Sequence, residues 1–478
     1  MSCPGCQALQ QQVAELTARL DRLEAENAHL RADNAFLKQE NAELRERLGL
    51  NSRNSSLPPS SDFPQPPASR ARRRSGRSQG AQKGHKGYGR HLLPAYQVDE
   101  VVELRPERCR RCNSQLEESL VAIGKPRRFQ VAELPERPIR VREYQLTALR
   151  CPCCRTKTRA ELPVGASSSV LGPRLEAALA TLAIDARLSR RLVAGISKDI
   201  FGLPLSIGAI DAALGRSGDA VSASVSEIEE ALEKAPIVHA DETGWNGVGP
   251  NDWLWSVSHR RLAAFRVLRG RGQTQAKELL GDYLGYLVVD RYCAYNFIPY
   301  ERRQFCHAHL LRDFRRVSER AGPGGCVGEK MLLLYEELFA LWHAYIDEGH
   351  KLDWLQEALA PTKLRYEKLL TLGAKKGDKK TARLCRELLR RTDSLWLFTE
   401  IEGIEPTNNA AERCLRGAVI KRKLSFGNQS ARGERTLERL LSVSQTCRLQ
   451  GRSCFAYLSE AIEAYRQGLP TPSLVTTD

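Results

Sequence analysis

Three acidic side chains stand out, each at the end of a segment able to hold it still. Ile237-Val238-His239-Ala240 is an apolar run that ends in Asp241. Tyr286-Leu287-Val288-Val289 is another, and it ends in Asp290. Glu405-Pro406-Thr407-Asn408-Asn409-Ala410-Ala411-Glu412-Arg413 reads as a helix start, with Thr407, Asn408 or Asn409 as the cap and Glu412 in the early turns. Two buried strands and one helix can turn three carboxylates into a single pocket. Ligand sets made only of oxygen suit Mg²⁺ or Mn²⁺. A pair of such ions activates an attacking oxygen and stabilises a leaving one in phosphoryl transfer. Each acid also has a plainer reading. A strand-end Asp is commonly a turn or cap residue. Asp282 lies near Asp290 and competes for its role, and Glu412 can pair with Arg416 one helical turn on.

A second chemistry is written in cysteine. Cys109-Arg110-Arg111-Cys112 and Cys151-Pro152-Cys153-Cys154 supply two Cys-x-x-Cys pairs. Cys109, Cys112, Cys151 and Cys154 suffice for a closed, tetrahedral and therefore structural Zn²⁺ site, with Cys153 an alternative to Cys154. Cys3 and Cys6 form a third pair without an evident mate, either unligated or sharing a metal across a dimer. Cys306 and His309 form a Cys-x-x-His pair just beyond the second acid; a core thiol and a satisfied imidazole are the competing reading. Basic residues gather in two places. Arg70 to Arg90 includes Arg72, Arg73, Arg74, Lys83 and Lys86 and contains no acid, which suits an arm tracking phosphates. Arg413, Arg416, Lys421, Arg422 and Lys423 follow Glu412, where cations would hold DNA beside a metal pocket.

The elements that must position these residues are legible in outline. The chain has 478 residues, 42% hydrophobic and 27% charged, with a net charge of +16. That balance favours a polyanion partner. No apolar run is long enough to span a bilayer, no signal-peptide core opens the chain, and the fourteen cysteines do not form a secreted disulfide pattern. A reducing cytoplasm, in association with the nucleoid, is the expected location. Residues 8–48 read as a coiled coil. Leu9, Leu16, Leu23, Leu30, Leu37 and Leu44 occupy d positions, while Val13, Leu20, Asn27, Asn34, Asn41 and Leu48 occupy a positions. A parallel homodimer is expected from this seam. Residues 49–92 form a Ser/Pro/Gly-rich basic linker unable to fold alone, and residues 93–165 hold the cysteine module. Residues 166–235 are helical, with Ser206 as a cap and a pattern compatible with a helix-turn-helix. From 236 to 320 the strand signals run Ile237–Ala240, Trp253–Val257, Ala264–Leu268 and Tyr286–Asp290, with a helix from Thr274 to Leu280 before the last. Residues 325–400 are leucine-rich and helical, with Lys375, Lys376, Lys379 and Lys380 in a basic loop. Residues 431–478 read as further packing helix.

Together these features resemble the DDE transposases of bacterial insertion sequences, specifically the IS66 family. The resemblance rests on the zipper, the linker ending Gln82-Lys83-Gly84-His85-Lys86-Gly87, the Cys₄ module, Ala240-Asp241-Glu242-Thr243, and Thr407-Asn408-Asn409 with Glu412-Arg413. It implies a multidomain α/β protein in which an RNase H-like catalytic core spans 236–430, interrupted by a helical insertion at about 325–400. It implies that Asp241, Asp290 and Glu412 form the catalytic triad, and that Cys306 and His309 buttress it. The implied reaction frees a 3′-hydroxyl at the element's end and joins it to target DNA, with companion proteins of the same element as possible helpers. A structure-selective nuclease and a non-catalytic DNA-binding derivative are the alternative readings.

Overall fold

The computed structural model of the chain describes residues 4–48, 50, 51, 54, 92–117, 119, 120, 123, 127–135, 138–162, 169–425 and 427–475. Arg72, Arg73, Arg74, Lys83, Lys86 and Cys3 lie outside the described residues. The chain divides into two units. One comprises residues 1–64, 146–196 and 204–478, the other residues 65–145 and 197–203.

In the larger unit the heptad segment is a single helix, α1 (Pro4–Leu48). Its leucines Leu16, Leu23, Leu30, Leu37 and Leu44 are exposed. A short antiparallel hairpin, β1 (Ala148–Arg150) and β2 (Lys157–Arg159), carries the second cysteine pair in its turn. Helices α2 (Pro173–Ile184), α3 (Arg190–Asp199), α4 (Ile207–Ala220) and α5 (Ser222–Lys234) follow. Ser206 caps α4 as its sequence predicts, accepting the Ala209 N–H at 3.1 Å.

The apolar runs then build a mixed sheet from β3 (Ile237–Gly244), β4 (Asp252–His259), β5 (Leu262–Arg269), β6 (Tyr286–Val289) and β7 (Arg303–Phe305), with α6 (Gln273–Leu280) crossing between β5 and β6. The spatial order is β5-β4-β3-β6-β7. The first three strands are antiparallel; β6 runs parallel to β3, and β7 parallel to β6. β3 is longer than its apolar run because β4 pairs with it as far as Gly244, whereas β6 pairs with it only as far as His239. Asp241 therefore lies inside a strand rather than at its end, at the level where β6 has just finished.

After β7 come α7 (His307–Ser318), α8 (Pro323–Asp347), α9 (Leu352–Lys376), α10 (Lys379–Leu389) and the short α11 (Asp393–Trp396). Phe314, Tyr335, Tyr366, Leu388, Trp396 and Phe398 are buried in a core continuous with Val288 and Phe305 of the sheet. The Tyr335 and Tyr366 hydroxyls meet at 2.9 Å inside it. Each such side chain contributes about 1.5–3 kcal/mol by burial, which holds these helices against the sheet. The chain then returns as α12 (Asn409–Leu424), α13 (Ala431–Leu449) and α14 (Cys454–Arg466).

α13 closes the sheet in an unusual way. β5 is an edge strand, and its outward N–H groups need partners. Ala263 donates to Thr446 Oγ1 at 3.1 Å, Phe265 to Ser442 Oγ at 3.0 Å, and Val267 to Glu438 Oε1 at 2.7 Å. The acceptors recur every fourth residue on one face of α13, the donors every second residue on β5, so the two periods match along the edge. No helix among the described residues is long and apolar enough to cross a membrane.

Candidate active site

The register of β3 against β6 brings the first two acids together. His239 is paired with Val288, and two residues further on stand Asp241, within β3, and Asp290, the residue just after β6. Neighbouring strands lie about 4.8 Å apart, so these carboxylates are side by side on one face. Each is oriented from its own loop or strand. Asp241 Oδ1 accepts the Glu242 N–H at 2.9 Å, and Asp290 Oδ1 accepts the Tyr292 N–H at 2.8 Å. Asp282 is exposed before β6, at the opposite end of that strand from Asp290.

The third acid arrives on α12, which packs on β3 and β4. Asn408 occupies the cap position, yet its side chain does not cap the helix. It reaches across to β3, donating Nδ2–H to the Ala240 carbonyl at 2.7 Å, with Oδ1 3.3 Å from His239 Nδ1. The Asn408 N–H points to Cys306 Sγ at 3.2 Å, and its carbonyl accepts the Glu412 N–H at 3.2 Å. Glu412 Oε1 lies 3.7 Å from His309 Nε2, and Oε2 lies 3.8 Å from Arg312. Among the described residues its close basic neighbours are thus His309 and Arg312, not Arg416. The ligating atoms of Cys306, His309 and Glu412 all fall within 4.8 Å of one another.

Electrostatics mark this pocket as short of positive charge. Burial pushes the Asp241 carboxyl well above the usual range, and the charges of Glu242, Asp290 and Glu412 push it the same way. Burial likewise raises Glu242, whose carboxylate accepts from Arg271 Nε at 2.8 Å and from the Tyr295 hydroxyl at 2.5 Å on the opposite face of β3. Arg271 in turn lies over the Tyr292 ring at 4.0 Å. Burial lowers His309, moves the Cys306 thiol up to about 11 and His239 down to about 4. Glu412 Oε1 and His309 Nδ1 are buried without hydrogen-bond partners. The neighbouring negative charges that raise Asp241 and the orphaned Glu412 oxygen suit a divalent cation, while among the described residues the ligand atoms that meet within 4.8 Å are those of Cys306, His309 and Glu412, not of the three acids together.

The cations after Glu412 divide by helical phase. Arg413, Arg416 and Lys423 are exposed, and Arg416 and Lys423 share the Glu412 face. Lys421, nine residues on, points the other way. It donates to the Ala183 carbonyl at 2.7 Å, and burial moves its ammonium down to about 8. Arg422 is bound to Thr243 Oγ1 at 3.1 Å and to the Gly244 carbonyl. Lys421 and Arg422 are therefore tied to the protein rather than free for a ligand.

The two cysteine pairs have the same construction. Cys109 donates its N–H to the Ser114 carbonyl and accepts from Asn113; Cys151 does the same with Thr156 and Arg155. Asn113 and Arg155 both take left-handed backbone, φ 58° and 59°. Cys112 Sγ lies 3.2 Å from Ser114 Oγ, and Cys154 Sγ lies 3.3 Å from Thr156 Oγ1. These hydroxyls, together with backbone N–H groups and the paired thiols Cys109 and Cys151, draw both outer thiols down to about 7. Cys154, not Cys153, is the partner of Cys151 in this turn. Thiols so readily ionised fit a soft divalent metal.

Sequence reasoning passed over Glu242, Arg271, Tyr295, His239 and Arg312. Glu242 had a visible signal, a second acid beside the first; the others become neighbours only through long-range packing.

A mixed sheet with one acid in β3, a second just after the adjoining β6 and a third on a helix packed on β3 and β4 defines an α/β protein with a candidate metal-dependent site. A model of the Transposase IS66 family matches residues 168–436, and a model described as "Family of unknown function (DUF6444)" matches residues 2–91. The chain belongs to the IS66 transposase family. Among curated proteins it is similar to Uncharacterized protein y4qI of Sinorhizobium fredii, 26% identical over 298 residues, covering 55% of this chain and 53% of that one. It is also similar to Uncharacterized protein y4hP of the same organism, 26% identical over 250 residues, covering 46% and 42%. The chain spans about half the length of these curated relatives. No solved structure matches it.

Proposed function

We infer that the chain is a DNA transposase that cleaves phosphodiesters at the ends of its element and transfers the freed strand to target DNA, with Asp241, Asp290 and Glu412 as its catalytic acids. The observation that carries this reading is the strand register that sets Asp241 beside Asp290 under the helix bearing Glu412. The sheet order, three antiparallel strands followed by two parallel ones, supports an RNase H-like core. Helices α8 to α11, between the second and third acids, correspond to the expected insertion. Bound to these three carboxylates, Mg²⁺ or Mn²⁺ would supply Lewis acidity and an activated oxygen nucleophile. The protein's own contribution is positional. His309 and Arg312 hold Glu412, Asn408 holds its helix to β3, and Cys306 buttresses Asn408. Arg413, Arg416 and Lys423 are proposed DNA contacts, as are Arg72, Arg73, Arg74, Lys83 and Lys86 of the linker. Hydrolysis at the element end releases a 3′-hydroxyl, and attack by that hydroxyl on a target phosphodiester joins the strands with loss of the target's own 3′-oxygen. No covalent enzyme intermediate is required.

Asp241→Asn, Asp290→Asn and Glu412→Gln are each expected to abolish Mg²⁺-dependent cleavage while DNA binding persists. Mg²⁺ should also raise the melting temperature of the wild type and not that of the variants. Near-normal cleavage by any of the three would remove that residue from the site. Zinc is the metal proposed for Cys109, Cys112, Cys151 and Cys154. Elemental analysis of the purified chain should find about one zinc per chain, as a four-thiolate structural site requires, and substantially less in Cys109→Ser; equal zinc in both would exclude Cys109 as a ligand.

A further inference from the structure

We propose that α10 is a duplex-DNA-binding helix that carries the DNA leading away from the cleavage site; this rests on the transposase reading above. Lys379, Arg383, Arg386 and Arg390 follow one another at spacings of four, three and four residues. At 100° per residue they form one narrow stripe, about 16 Å long at 1.5 Å per residue. All four are exposed, and the exposed Lys375 and Lys376 of α9 extend the charge beyond the helix start. The opposite face, Thr381, Ala382, Cys385 and Leu388, is buried.

The acids of this region do not neutralise the stripe. Asp378 caps α10 through the Lys380 and Thr381 N–H groups and pairs with Arg320 at 3.2 Å. Glu387 pairs with Arg391 at 2.5 Å and with Arg291 at 3.5 Å. Among the described residues, none of the four stripe cations has a carboxylate partner. Like charges one turn apart destabilise a helix, and cations at its N-terminus oppose the helix dipole. An ordinary solvated face mixes signs and avoids both costs. A polyanion lying along the stripe removes them.

The location of α10 specifies which polyanion. Glu387 flanks the stripe and binds Arg291, the residue after Asp290. That ion pair connects the helix carrying the stripe to the loop that begins at Asp290. A duplex with a scissile phosphate at Asp241 and Asp290 would continue over this helix, one cation per turn meeting its backbone.

The test compares the full chain with a variant carrying Lys379→Gln, Arg383→Gln, Arg386→Gln and Arg390→Gln. Binding to a fluorescent duplex of about 40 bp is titrated over a range of salt. Each phosphate contact contributes about 0.9 to the slope of log affinity against log salt. Four lost contacts should reduce the slope by about 3 to 4. Arg383→Lys, Arg386→Lys and Arg390→Lys together should keep the wild-type slope. An unchanged slope in the Gln variant overturns the proposal, as does a lost slope in the Lys variant with its melting temperature intact. Absence of duplex binding by the wild type would instead sink the transposase reading itself.

Discussion

Asn408 joins three parts of the site through one buried residue. Its N–H reaches Cys306, its carbonyl starts the helix of Glu412, and its side chain holds Ala240 and His239. Since Nδ2 donates to Ala240, Oδ1 faces His239, so the imidazole, neutral with its value near 4, carries its proton on Nδ1. Asn408→Ala strands the Ala240 carbonyl and the His239 N–H, each at a cost of about 1–3 kcal/mol. A lower melting temperature is expected, together with a cleavage rate reduced about tenfold or more and little change in DNA affinity. Unimpaired cleavage at a temperature where the variant is folded would dismiss Asn408 as a positioning residue. The sequence announced Asn408 only as a cap. Its actual acceptor lies 168 residues away, beyond any local pattern. Lys421, expected from the sequence to hold DNA, instead turns inward; its phase was the missed signal, since nine residues from Glu412 is half a turn out of phase on a helix.

At the level of elements, α1 presents its leucine seam to solvent within one chain, with Leu16 64% and Leu23 55% exposed. A second copy covers such a seam most simply. In a parallel pair Glu26 faces the partner's Arg31, and symmetry makes that contact twice. Exposed pairs are worth about 0.2–1 kcal/mol each, so they choose orientation more than they stabilise. Sedimentation of the full chain should show a dimer that Leu23→Glu with Leu30→Glu dissociates. Glu26→Arg should weaken the dimer and Arg31→Glu in the same chain restore it. A charge swap without rescue would contradict the parallel arrangement. The heptads and the strands carrying Asp241 and Asp290 were readable because their periods are local. The extension of β3 to Gly244 was not, because it depends on β4 continuing to pair there. Nor was the role of α13, since buried Ser442 and Thr446 mean little until β5 lies alongside.

For the molecule as a whole, the net charge of +16 acquires direction once the helices are placed. Lys421 and Arg422 are used internally, while cations of α10 and α12 such as Arg383, Arg386, Arg416 and Lys423 are exposed. Composition could indicate a polyanion partner but not which cations were free to meet it. The mixed α/β architecture followed from the order of strand and helix signals; the burial that makes Asp241 reluctant to ionise needed all those elements together. The segment matched to the IS66 family ends at residue 436, just short of Glu438, Ser442 and Thr446. A fragment trimmed to that boundary would keep all three acids and lose the side chains that occupy the N–H groups of Ala263, Phe265 and Val267. It would present a bare strand, a ready template for a neighbour's backbone, so the stretch that holds the three acids is shorter than the stretch that keeps copies from sticking to one another.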